Sequence, residues 1–77
     1  MFNLYRGLPL EERVRKIDPT QATRFSRLTA TALEIATEGI IRHLAACDRQ
    51  DVWPDKLAIR EIIDDAQNGR RVYAEAA

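Results

Sequence analysis

Apolar residues return along this chain at intervals of three and four, the repeat of one helix face. Leu10, Val14 and Ile17 form a first short stripe. A second runs from Phe25 through Leu28, Ala32, Ile35, Ala36, Gly39 and Ile40 to Leu44 without losing phase. Leu57, Ile59, Ile62, Ile63 and Ala66 supply a third. No segment alternates apolar and polar residues for long enough to make a strand, and no internal repeat is present. The pattern predicts an all-α fold.

The prolines place the boundaries. Pro9, Pro19 and Pro54 each suit the first turn of a helix, where the missing N–H costs nothing and the fixed φ is already helical. In "DPTQ" Asp18 is the expected N-cap, with Pro19 at the first helical position and Gln21 completing a variant capping box. Pro19 also ends whatever helix precedes it. The expected arrangement is three helices, about 9–17, 20–47 and 54–67. The two short ones lie along one side of a central helix that reaches roughly 42 Å. Glu11–Arg15 and Glu12–Lys16 pair one turn apart on the first helix. "DRQDVWP" reads as a polar connector whose Trp53 folds back onto the core. Asn68-Gly69 offers a left-handed C-cap. Residues 1–77 form a single domain, with an irregular cap over 1–8 and a frayed tail over 69–77.

Plotted at 100° per residue, the long helix has more apolar circumference than one neighbour covers. Its apolar sector spans about 200°. Beside the main stripe runs a border row of Ala30, Leu33, Thr37 and Ile41, with Arg24, Arg27, Glu34, Glu38 and Arg42 on the charged side. The border row is the expected partner or dimer interface, and Arg27, Glu34, Glu38 and Arg42 its charged rim. Ala32, Ala36 and Gly39 let another helix come close. Gly39 reads as a packing glycine, the alternative being a break in the helix there.

Size sharpens this picture. A chain of 77 residues buries a modest share of its surface, and its one cysteine forbids an internal disulfide, so association is the natural supplement. Two-fold homodimers are the commonest form. No secretory signal opens the sequence, which makes the cytoplasm the expected compartment. Glu34, Glu38 and Arg42 make a membrane span of the long helix costly.

The twelve basic and twelve acidic residues cancel. They are unevenly spread: residues 1–27 carry six basic and three acidic groups, and residues 28–69 carry four and eight. Nucleic-acid binding is the main alternative function, with Arg24, Arg27, Arg70 and Arg71 as the phosphate contacts. Zero net charge and the lack of a recognition helix rich in Asn, Gln, Lys or Arg weigh against it.

His43 and Cys47 stand one turn apart on the apolar face, so they can touch. A nucleophilic cysteine needs an accessible thiolate, an oriented base and an oxyanion hole, and no glycine-rich turn supplies the last. The pair is expected to be structural. Zinc wants three or four protein ligands, so a metal-binding or enzyme-accessory role needs two chains to pool two histidines and two cysteines. Acidic pairs such as Glu61–Asp65 read as a solvated face. No catalytic residues, metal or cofactor are expected. The closing "AEAA" resembles the small apolar termini that bacterial proteases recognise. The sequence is thus expected to encode a small helical regulator, inhibitor or adaptor, bacterial or phage-borne, that acts by protein–protein contact as a homodimer.

Overall fold

The computed structural model describes residues 7–70. Residues 1–6 and 71–77, most of the expected cap and tail, lie outside the described residues. Every regular element among them is helical: α1 (Leu10–Ile17), α2 (Pro19–Ser26), α3 (Ala30–Gln50) and α4 (Lys56–Gln67).

The expected long helix over 20–47 is two helices. The chain leaves α2 through tight bonds, Arg27 N–H to the Arg24 carbonyl at 3.1 Å and Leu28 N–H to that of Phe25 at 3.3 Å. Thr29 then turns extended, and its hydroxyl accepts the Ala32 N–H at 3.4 Å to start α3. The apolar phase runs straight through this corner, which is why periodicity alone misses it. A continuous 28-residue rod of about 42 Å would overrun a molecule whose longest extent is 33 Å. Bending there carries α2 back against α3 and α4. Gly39 marks no break: α3 runs unbroken across it to Gln50.

Asp18 caps α2 as expected, its carboxylate accepting Thr20 N–H at 3.1 Å. The other arm of the box is absent, because buried Gln21 accepts from Arg24 Nη1 instead. Pro9 and Pro54 stand just ahead of their helices rather than inside them, which moves both starts later. Asp55 caps α4 by accepting Leu57 N–H at 2.9 Å. Gly69 ends α4 with φ +75°, its N–H reaching the Ala66 carbonyl while that of Arg70 reaches Asp65, a Schellman closure. Asp51 closes α3 the same way with φ +54°.

The core gathers Val14 and Ile17 of α1, Ala22 and Phe25 of α2, the Ile35–Leu44 stripe of α3, and Ile59, Ile62, Ile63 and Ala66 of α4. Helices α3 and α4 pack closely at Gly39, where a methyl group would come within 2.8 Å of Ile62 Cγ2. Two residues expected in this core lie outside it. Leu57 is 55% exposed and Trp53 51%. Leu57 sits roughly 160° round α4 from Ile59, so the helix turns it away from the core.

Two ion pairs fasten the halves together. Arg13 of α1 reaches Asp48 near the end of α3 at 2.6 Å, both side chains nearly buried. Arg24 of α2 reaches Asp64 of α4 at 2.6 Å and Gln67 at 2.9 Å.

Candidate protein-binding face

Helix α3 turns its stripe of Ala32, Ile35, Ala36, Ile40 and Leu44 inward, and helical spacing then fixes what faces out. Leu33, Thr37 and Ile41 stand on successive turns, four residues apart. Leu33 is 37% exposed and Ile41 51%, Thr37 is half-buried between them, and Ala30 is exposed at the start of the helix. The structure therefore brings together all four residues of the predicted border row, and α1, α2 and α4 leave them open. Ala45 continues the row for another turn, half-buried. Asp48, tied to Arg13, closes it at the C-terminal end.

The predicted rim is present along α3. Glu34 and Arg42 are exposed, Glu38 is half-buried, and Glu38 and Arg42 approach to 3.9 Å. Arg27 lies in the corner between α2 and α3, exposed. Of the residues that would grip phosphates, Arg24 is bound to Asp64, Gln21 and Gln67, and Arg70 to Asp65 at 3.0 Å. Arg71 lies outside the described residues.

His43 and Cys47 do meet, Sγ to Nε2 at 3.7 Å. His43 Nε2 also accepts the Asp55 N–H at 3.4 Å, which ties the interhelical connector to α3. Burial holds the His43 pKa below its ordinary value, and the nearby Asp55 carboxylate offsets part of that. Burial pushes the Cys47 thiol up, Asp48 and Asp55 adding to the shift and Arg13 opposing it. A thiol so placed stays protonated at neutral pH, the reverse of what a nucleophile requires. Among the described residues no three His, Cys, Asp or Glu side chains converge as a metal site. None of the described helices is long and apolar enough to cross a membrane.

A second apolar group escaped the sequence reading: Val52, Trp53 and Leu57, all about half exposed, on the connector and first turn of α4. Leu57 also borders an open groove of about 380 Å³, with Asp18, Thr20, Gln21, Lys56 and Arg60 as its other walls. A separate wheel for the third predicted helix would have found Leu57. Trp53 lies in a connector without periodicity and gave no such signal.

Comparison with protein-family models, curated proteins and solved structures yields no match to this chain.

Proposed function

We propose that this protein works by binding another protein, helix against helix, through the outer face of α3. It acts as a small regulator, inhibitor or adaptor, and as a homodimer. The observation that carries this reading is the solvent-exposed row of Leu33 and Ile41 on either side of Thr37, on the longest helix of a small chain.

Full burial of a leucine or isoleucine side chain is worth about 1.5–3 kcal/mol. Leu33 and Ile41 are partly covered already, so a partner gains roughly 1 kcal/mol from each. That alone is too little for stable association, and an interface normally buries upward of about 1,000 Å². A partner must therefore cover the rim as well, with Leu33 and Ile41 as anchors and Arg27, Glu34, Glu38 and Arg42 setting orientation. Net neutrality and the in-chain pairing of Arg24 and Arg70 favour this reading over phosphate binding.

The test compares affinity capture from the source cell by the wild-type chain and by Leu33→Glu/Ile41→Glu, both first shown to be folded by circular dichroism. The wild type is expected to retain a protein that the variant loses. Equal capture by both refutes the role of this face.

A further inference from the structure

The connector between α3 and α4 reaches back to His43, and its polar contacts fix the state of that ring. We infer that His43 is a proton-sensitive catch. Neutral, it holds the connector to α3 at Asp55; protonated, it lets the connector go.

The donors decide the tautomer. A backbone N–H can only donate, so the Asp55 N–H at 3.4 Å requires an unprotonated Nε2. Cys47 Sγ stands 3.7 Å from the same nitrogen, which makes its thiol a donor there too. Neutral His43 therefore carries its proton on Nδ1. A second proton must go to Nε2, the acceptor of both contacts, and it sets N–H against N–H and S–H. Both bonds are lost together.

The contact lies between two anchored ends. Val52 N–H closes α3 on the Cys47 carbonyl at 3.0 Å, and the Asp55 carboxylate caps α4 by accepting Leu57 N–H at 2.9 Å. Half-exposed Trp53 and then Pro54, which has no N–H to offer, lie between them.

Charge acts on the ring from both sides of this joint. Partial burial disfavours the imidazolium, the Asp55 carboxylate favours it, and burial prevails. Beyond Cys47 lie Asp48 of α3 and Arg13 of α1, opposite in sign and paired with each other. The Asp55 carboxylate is already committed to its cap, so an imidazolium that drew it away would strip Leu57 N–H of its partner. Either course loosens the start of α4. The ring is thus neutral at pH 7, and release falls on the acid side of about 6.5.

Nitrogen-15 NMR of the full chain reads ring and connector together. At neutral pH His43 is expected as the Nδ1–H tautomer; an Nε2–H tautomer overturns the inference. On acidification the amides of Val52, Trp53 and Asp55 are expected to lose order at the midpoint of His43 protonation, while those of α3 and the last turns of α4 hold. Connector amides that stay fixed through that midpoint overturn the inference. So does a loss of helix by circular dichroism at the same pH, which would mean unfolding of the whole chain. His43→Gln sets an amide oxygen close to the place of Nε2 and should keep the connector ordered above and below the midpoint. His43→Ala should leave it loose at neutral pH. A glutamine variant that still loosens in acid, or an alanine variant as ordered as the wild type, rejects His43 as the catch.

Discussion

Replacing Gly39 with alanine sets two effects of known sign against each other. Alanine is favoured over glycine inside a helix by about 1 kcal/mol, and Gly39 lies in the middle of α3. The added methyl would stand 2.8 Å from Ile62 Cγ2, 3.7 Å from Cγ1 and 3.8 Å from Cβ. Carbon atoms rest at about 3.5–4.0 Å, so the first of these contacts must open by close to 1 Å. Ile62 is β-branched, 4% exposed and held on α4, and one χ1 rotamer dominates for such a residue in a helix. Relief must come from moving the helices apart. Overpacking of this kind costs about 1–3 kcal/mol. Gly39→Ala should therefore lose about 1 kcal/mol net, out of a total on the order of 4–12 kcal/mol for a chain of this length.

Urea titration followed by far-ultraviolet circular dichroism reads the change as a lower midpoint at unchanged slope, and the melting temperature should fall by about 4–8 °C. The partner variants make the reasoning specific. Ile62→Leu moves the branch off Cβ and removes the offending methyl, so it should offset much of the Gly39→Ala loss in a double-mutant cycle. Ile62→Val keeps Cγ2 and should not. A Gly39→Ala protein stabilised by about 1 kcal/mol, or rescue by valine equal to that by leucine, would refute the close approach of α3 and α4.

Two further outcomes follow from the polar contacts. Asp48→Ala leaves Arg13 nearly buried, with its Nε already lacking a partner. It should cost about 3 kcal/mol, measured by the same titration, whereas Arg13→Met/Asp48→Leu should cost much less; equal losses would show that the pair is not desolvated. Stability should also depend on pH at both ends. The His43 pKa is lowered in the folded state, so the unfolded chain takes up the proton first, and stability is full above about 6.5 and declines as pH falls through that value. The Cys47 pKa is raised, so the unfolded thiol ionises first and stability declines as pH rises past about 9. Thermal melts of His43→Gln and Cys47→Ala should flatten the acid and alkaline limbs respectively, and an unchanged profile in either would reject its assignment.

Local signals carried most of the architecture. Asp18, Pro19 and the 3.6-residue stripes of α1 and α4 are short-range features, and the structure places them close to where the sequence did. The corner at Arg27–Thr29 was illegible for a definite reason. Phe25, Leu28 and Ala32 keep helical phase across it, no proline or glycine marks it, and Thr29 lacks the acidic or amide partner three residues on that flags a capping box. What decides the bend is tertiary: α2 gains Asp64 and Gln67 for Arg24 only by turning back. The border row of α3 was legible because exposure around one helix is an angular matter, and the angles survive even when the helix is shortened at its start. Trp53 stays half exposed because hydrophobicity alone does not bury a residue that has no periodic neighbour to hold it.

The bonds of Arg13 to Asp48 and Arg24 to Asp64 span 35 and 40 residues of chain. Each joins one member of the α1–α2 pair to one member of the α3–α4 pair, while the closest packing falls within the pairs. The molecule is thus two helical hairpins that share one apolar core and are bridged across their seam by two charged latches. Local hairpin contacts form early, and contacts across long loops come later because chain closure must precede them. The latches therefore fasten last in folding, and salt tells them apart: raised ionic strength should weaken the more exposed Arg24–Asp64 latch while leaving the nearly buried Arg13–Asp48 pair largely unscreened.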